Sequence, residues 1–482
     1  MHTYAFKVIL LLLLCTTETA PGAENETEAS STESTATLIE SLKHPLPSVR
    51  YQAVKAIGKA PDVTPATIAQ ISRLLAHEQP GVRQHAFFAL EELGPKARPA
   101  VPMLFSIIGN RKADPDDRYL ACRSLIGIGP DVADALPVLV DALGDRCGVV
   151  RSGAVEALGD MGAAAKPAVP VLLRIAATDR GVGAIVTVGY KARAALARIG
   201  APGVPSLVNA LGHSDVRYRR AAAAALNSMT QSAPAAAREA IAPLTKALDD
   251  SDEVVRAHAA IATWNATRDA ARTVPVLDAL VRKSRPRGDG EEWDVRGLAI
   301  RSLGHVGPDA ERAIPVLIDV IRDESTSNYH RDDAVEALGQ IGPAAKAALP
   351  HIFQQRFSLS RPSAKIAAIA ARRIDPEARV PVADVVHQIQ HHPVYVDIAI
   401  EVLQELDADS RRALVSLVVP LLKCGDPEVR LAAVKALEAI GPSAVVPIDA
   451  LKDLQRDDEV MIRNAAIQAL RAIRREARGP PK

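Results

Sequence analysis

A Val-Arg dipeptide, or its nearest equivalent, keeps returning along this chain, and that return constrains the fold more than any other feature. The anchors are Arg50, Arg83, Arg118, Arg151, Lys191, Arg219, Arg256, Arg296, Arg331, Lys365, Asp397, Arg430 and Arg463. Their mean spacing is about 34 residues, the length of two helices with their connections. A chain of 482 residues would otherwise suggest roughly three compact domains. A fixed period of this size implies instead about thirteen similar units, each closing against the next.

The stretch Asp426 to Pro442, DPEVRLAAVKALEAIGP, shows what one unit encodes. Asp426 can accept hydrogen bonds from the free N–H groups of a helix start, and Pro427 suits the first helical position. Glu428 adds negative charge where the helix dipole favours it. Val429, Ala432, Ala433, Ala436, Leu437 and Ile440 then fall on one apolar stripe. Gly441 is placed to take a left-handed C-terminal cap, and Pro442 prevents continuation. A helix this short is marginal alone and needs a neighbour to bury its stripe. A second apolar segment follows in most units, with a proline near its start, as at Pro102, Pro137, Pro170, Pro205, Pro243, Pro275, Pro315 and Pro350. Each unit therefore reads as helix, turn, helix. The Asp and Arg positions of the motif read as structure: Asp426 caps, and Arg50, Arg83, Arg118, Arg151, Arg256, Arg296, Arg331, Arg430 and Arg463, one turn later, can satisfy a cap, a carbonyl or a neighbouring unit's carboxylate.

Composition narrows the possibilities. Aromatic residues are 3 % of the chain against 48 % for the whole hydrophobic group, so the core is built from Ala, Leu, Val and Ile, which suits closely packed helices. Lys and Arg total 58 against 57 for Asp and Glu. A net charge of +1 with both signs interspersed argues against a nucleic-acid binder. Arg217, Arg219 and Arg220, and the group Arg471, Arg474, Arg475 and Arg478, read as solvated helix faces. With Trp264 and Trp293 the only tryptophans, no base-stacking surface is expected. The sequence holds no Gly-rich phosphate loop, Ser/His/Asp ordering or CxxC pair, and no catalytic residue or cofactor is assigned.

The pattern D-x-x-V-R-x-x-A-x-x-A-L-x-x-I-G-P resembles the HEAT repeat, and more narrowly the short HEAT-like repeats of phycobilisome lyases. The resemblance covers nearly everything after residue 40. It implies an all-α fold, a right-handed α-α superhelix whose second helices line a concave face that binds other proteins. The name-giving relatives imply, as an alternative, a lyase or chaperone acting on a tetrapyrrole. Deoxyhypusine hydroxylase is also built on this repeat, with His-Glu pairs just after the motif arginine as ligands to two irons. Here those positions hold Tyr51-Gln52, Gln84-His85, Tyr119-Leu120, Ser152-Gly153 and Ala257-His258, and the pair His77-Glu78 falls in a turn between helices, so that activity is not expected.

The first residues form a separate segment. Lys7 precedes the apolar run Val8 to Leu14, too short to span a bilayer, and small residues follow at Ala20 and Ala23. Residues 1–23 read as a secretory signal peptide, 24–37 as a disordered tether rich in Glu, Ser and Thr, 38–478 as the solenoid and 479–482 as a tail. The expected product is exported, periplasmic or secreted, monomeric and without a transmembrane span. Cys15 offers a second reading, an envelope-associated form with a lipid anchor there, although Leu14 stands where a small residue is expected. Removing the signal leaves Cys122, Cys147 and Cys424, which form no disulfide framework. Cys122 falls on a buried helix position.

Three segments depart from the period: Thr178 to Tyr190, where Gly181, Gly183 and Gly189 intrude and one helix should be shortened or kinked; the charged connection from Arg282 to Arg296; and Ile374 to Asp409, where the motif is almost unreadable. Long loops on a regular array are where function tends to sit. Arg285, Arg287, Glu291, Glu292 and Trp293 are accordingly the expected partner-binding residues. His387 and His391 share a helix face with Asp384 one turn earlier, a feasible spacing for metal ligands, with His392 beside them. Gln388 stands where a zinc protease needs its glutamate and Pro393 ends the helix, so this reads as an exposed polar face with no metal assigned. The expectation is a non-catalytic interaction scaffold for an unidentified protein partner outside the cytoplasm.

Overall fold

The computed structural model describes residues 34–129, 133–179, 187–283, 294–355, 361–403, 408–441 and 448–477, and every regular element among them is helical. The chain forms two units, Met1–Arg268 and Asp269–Lys482. Each is an all-α row of helical hairpins.

The local chemistry of one hairpin follows from its residues. In Pro427–Ile440 the Asp426 carboxylate accepts the Glu428 N–H at 2.8 Å, and Val429, Ala432, Ala433, Ala436, Leu437 and Ile440 are all buried. Asp215, Asp252 and Asp294 cap their helices in the same way. Beyond the helix the structure departs from a left-handed cap. Gly441 has φ +69° but ψ −168°, and Gly307 and Gly342 have φ +72° and +81° with ψ near −140°. This extended, positive-φ region is open essentially to glycine alone. It turns the chain sharply into a 3-10 segment, such as Gly94–Ala100, Gly162–Ala168 or Gly307–Ala313. The second α-helix follows directly, with proline in its first turn, as in Val101–Gly109, Val169–Thr178 and Ile314–Arg322. Most hairpins thus have three parts where the sequence suggested two, although Glu253–Thr267 and Ala270–Lys283 are joined without a 3-10 segment. At the start, Ser34 caps the helix Thr35–Ser41, so helical structure begins inside the stretch expected to be tether.

In the first unit the leading helices Pro47–Lys59, Pro80–Leu93, Pro115–Ile128, Gly148–Asp160, Val188–Ile199, Val216–Ser232 and Glu253–Thr267 pack each on the next. In the second, Val295–Val306, Asn328–Ile341 and Arg361–Ile374 do the same, as do Pro427–Ile440 and Val460–Ala477. The segment whose motif is almost unreadable still makes helices, Val382–His391 and Val396–Leu403, joined by the 3-10 turn Pro393–Tyr395, and both pack against Pro427–Ile440. Of the irregular stretch from Thr178 to Tyr190, residues 180–186 lie outside the described residues; around it one helix ends at Thr178 and the next begins at Val188.

Small residues set how closely leading helices approach. A Cβ on Gly127 would lie 2.7 Å from the Glu91 carbonyl oxygen; on Gly304, 2.9 Å from Ala337 Cα; on Gly339, 2.8 Å from Ala370 Cα. These contacts are backbone to backbone, so no rotamer change relieves them. Ala221 to Ala225 are all buried in Val216–Ser232, the same small-residue packing carried around a whole helix. Cys122 is fully buried, and burial pushes its thiol up to about 12, so it acts as a small hydrophobe. Replacing Gly339 with Val should destabilise the second unit by ~1–3 kcal/mol through forced helix separation, read as a lower urea midpoint with unchanged helical circular dichroism at zero urea; an unchanged midpoint would contradict the close approach.

Candidate functional site

The motif arginines lie in the first turns of their helices, and most of those described reach back over the connection before the helix. Arg50 Nη1 donates to the carbonyls of His44 and Pro45 at 2.7 and 2.9 Å, Arg83 to His77 and Glu78 at 3.0 and 3.1 Å, and Arg151 to Asp145 and Arg146 at 2.9 and 3.1 Å. Arg219 does so to His213 and Ser214, Arg430 to Cys424 and Gly425, and Arg463 to Asp457 and Asp458. The spacing is constant, six and five residues before the arginine. It places one donor over carbonyls that the incoming connection leaves without a helical partner.

The rest of the guanidinium grips a carboxylate further along the chain. Arg83 Nε donates to Asp117 at 2.7 Å, Arg151 Nε and Nη2 to Asp179 at 2.9 and 2.7 Å, Arg219 Nε and Nη2 to Asp250 at 2.8 and 3.1 Å, and Arg430 Nε and Nη2 to Asp457 at 2.9 and 3.0 Å. Arg118 pairs with Asp145, the two side chains only 5 % and 7 % exposed. Three of these acceptors, Asp145, Asp250 and Asp457, sit six residues before the next motif arginine. Each also accepts the N–H two residues on, from Cys147, Asp252 and Glu459 at 2.8, 2.9 and 3.0 Å. Its own carbonyl then takes the next arginine, as Asp145 takes Arg151, Asp250 takes Arg256 and Asp457 takes Arg463. Arginine, loop carboxylate and next arginine make a relay. The sequence carries the signal, an Asp six before the arginine, but the capping Asp four before it masks the pattern.

The relay is interrupted where the residue types change. Lys191 turns back to Ser152 at 2.6 Å and to the Glu156 carboxylate. Asp397 is exposed. Arg331 pairs with Asn328 in its own turn, and among the described residues Arg296 Nη1 reaches Thr326 Oγ1 at 3.4 Å. Here the buried His330 closes the gap, its Nε2 lying 3.0 and 3.1 Å from the two Asp294 oxygens. Burial pushes the Asp294 carboxyl up, but the hydrogen bonds from His330 and the Gly297 N–H outweigh it and hold the group below the usual range.

Two buried histidines of the first unit titrate away from their ordinary range. Burial lowers His258 to about 3, with the Arg193 charge adding to the effect. Asn227 Nδ2 lies 3.1 Å from its Nδ1; the amide can only donate there, so the ring is neutral with its proton on Nε2. His85 is lowered by burial and by Arg50, against the hydrogen bond to the Gly81 carbonyl at 2.6 Å. That bond makes His85 Nδ1 a donor, so Arg50 Nε at 3.3 Å packs beside the ring without a lone pair to meet. A Cβ on Gly81 would lie 2.8 Å from Arg50 Nη2, so a side chain there would push the guanidinium aside.

The residues expected to carry function fall as follows. Arg285, Arg287, Glu291, Glu292 and Trp293 lie outside the described residues, as does Cys15. His387 and His391 stand on the exposed face of Val382–His391 with ring centroids 4.4 Å apart, and His392 lies 6.4 Å from His387. Among the described residues no group of three His, Cys, Asp or Glu side chains is arranged to hold a metal ion, so Asp384 does not complete a set. A feature not anticipated is that some large apolar side chains stand in water at the starts of leading helices. Val149, Tyr329 and Met461 are 46 %, 84 % and 69 % exposed, and each stands two residues before its motif arginine. Leu46, Tyr190 and Val460 lie close by in the same part of the repeat and are also exposed.

Two measurements test this geometry. Asp145→Ala leaves Arg118 buried without its carboxylate, so it should cost ~3–5 kcal/mol and raise hydrogen exchange at the amides of Pro115–Ile128 and Gly148–Asp160; unchanged protection would refute the relay. Because His258 is lowered in the folded chain, its contribution is complete above the unfolded value of about 6.5 and is lost as pH falls from there toward about 3. The wild-type urea midpoint should therefore drop between pH 7 and pH 4.5, and His258→Gln should flatten part of that drop.

The fold is met in known proteins. The profile of HEAT repeats matches residues 35–110, 101–184, 187–264, 286–371 and 383–471. Among solved structures, the karyopherin Kap121p bound to the extreme C-terminus of the protein phosphatase Cdc14p aligns with a TM-score of 0.50 at 14 % identity, over 91 % of this chain and 57 % of that one. Yeast importin-beta, Kap95p, aligns with a TM-score of 0.44 at 15 % identity over 91 % and 67 %. Kap95p with RanGDP gives 0.47 at 16 % identity over 91 % and 67 %. The chain thus spans between about half and two thirds of the length of these solenoids. No curated protein sequence matches it. With its repeats matched over most of its length and the same all-α solenoid seen in Kap121p, this chain belongs to the HEAT-repeat family.

Proposed function

We propose that this protein is a non-catalytic scaffold, acting outside the cytoplasm, that holds a protein partner along the edge formed by the starts of its leading helices. The observation that carries the reading is the division of labour around each motif arginine. The arginine and its loop are committed to structure, while the residue two before it differs from unit to unit, being Gly81, Asp116, Val149, Arg217, Val254, Asp294, Tyr329, Glu428 or Met461. At three of these places a large apolar residue stands in water, Val149, Tyr329 at 84 % exposure and Met461 at 69 %, whereas Val254 is buried. Exposed aromatic and Met side chains in repeating positions are the residue types that anchor protein interfaces. Kap121p, whose fold is similar, binds a terminal segment of another protein, and a segment of that kind is the occupant proposed here. Among the described residues no helix is long and apolar enough to cross a membrane. The location rests on the N-terminal reading of residues 1–23 as an export signal.

Photo-crosslinking in the native host tests the proposal. A photoreactive residue at position 329 or 461 of the second unit should capture one recurring protein, and one at the buried position 338 should not. Capture of a different abundant protein at each position would overturn it. N-terminal sequencing of the purified chain tests export: the expected start lies near residue 24, and a chain beginning at Met1 would contradict it.

A further inference from the structure

We propose that His387 and His391 form a two-nitrogen site for a divalent transition metal of the imidazole-preferring class, Ni2+, Cu2+ or Zn2+, with water completing the coordination. Four observations support it together. The two residues are four apart on Val382–His391, so their side chains leave the helix one turn apart on the same face. Both are exposed, and their rings already face one another with centroids 4.4 Å apart and planes inclined by 40°. They occupy the last two turns of the helix, where the unsatisfied carbonyls and the dipole favour a cation. The Asp384 carboxylate, one turn earlier, adds negative charge on the same side of the helix and interacts electrostatically with His387.

The chemistry sets the class. Two neutral imidazoles suit the borderline metals and are poor ligands for Mg2+ or Ca2+, which require oxygen. Two ligands are what the protein supplies, since no third side chain among the described residues is arranged with them and His392, at 6.4 Å from His387, is the cap residue where the backbone has already left the helix. Open coordination positions make this a capture site, in contrast to the closed tetrahedral sets that hold structural zinc. Because each imidazole must be neutral to bind, protons compete with the metal.

The test uses the full chain, free of any polyhistidine tag and stripped with chelator, titrated with NiCl2 and separately with CuCl2 at pH 7.5 by calorimetry. One site per chain is expected. His387→Gln and His391→Gln should each weaken binding by at least about tenfold, the scale on which even supporting residues of a metal site act. His392→Gln should leave binding within about twofold of wild type by the same reckoning, and the double variant Cys147→Ser/Cys424→Ser should bind as wild type does. Cu2+ bound to the wild type should show the electron paramagnetic resonance signature of two imidazole nitrogens, and binding should be lost at pH 5. Circular dichroism of the exposed-site variants confirms that they fold. Absence of heat with either metal, or wild-type affinity in the His387→Gln/His391→Gln double variant, would overturn the proposal.

Discussion

A guanidinium presents five N–H donors in a rigid plane, and in this chain that plane is divided between two tasks. One edge holds the carbonyls of the connection that leads into the arginine's own helix, and the other holds a carboxylate further along. Neither task could be met by an ammonium with the same geometry. Where Lys191 replaces arginine the contact runs backward to Ser152 and Glu156 instead. The Asp at the receiving end is equally constrained: it must accept a backbone N–H two residues on, accept the guanidinium from behind, and offer its own carbonyl to the arginine ahead. Asp250 and Asp457 do all three. The loops of a helical array are where backbone polar groups would otherwise be left to water, and at Asp145, Asp250 and Asp457 this relay ties such a loop to its neighbour.

Close helix packing is the second constraint and depends on the first. Leading helices come near enough that Gly127, Gly304 and Gly339 cannot carry a side chain. Dispersion attraction at that distance is summed over many atom pairs but is short in range, so small shifts between neighbouring helices would forfeit it. Fixing the first turn of each helix against the preceding loop limits such shifts. Charge pairs of this kind are worth little when exposed, and here the paired groups are largely withdrawn from water, with Arg118 and Asp145 almost wholly so. Their value lies in specifying register between neighbouring hairpins as much as in net stability.

Much of this architecture could be read from residues alone, because it is repeated. The period, the capping Asp426, the apolar stripe of Pro427–Ile440 and the prolines that open second helices all survive into the structure. Three things were harder. The glycine after each leading helix needs a backbone region different from the left-handed cap, a distinction in ψ that sequence does not display. The 3-10 segment between helices has no strong residue signature beyond Gly-Pro. The relay aspartates were overlooked because two kinds of Asp, four and six before the arginine, share one short stretch and only the nearer has a familiar capping role. The exposure of Val149, Tyr329 and Met461 was invisible for the opposite reason: burial, not identity, makes those residues unusual. The metal-ligand spacing of His387 and His391 was legible, while their exposure and ring approach required coordinates.

The central claim is that forks between loops hold neighbouring hairpins together, and a double-mutant cycle measures it most directly. Arg219 and Asp250, with side chains 16 % and 13 % exposed, can be compared with Arg412 and Asp409, a pair of similar charge at 62 % and 88 % exposure. Coupling free energies would be read from hydrogen exchange of the amides in the helix that follows each pair. A coupling of about 1–3 kcal/mol is expected for the first and under about 0.5 kcal/mol for the second. Equal, small couplings for both pairs would contradict the account and return the arginines to the status of surface charges.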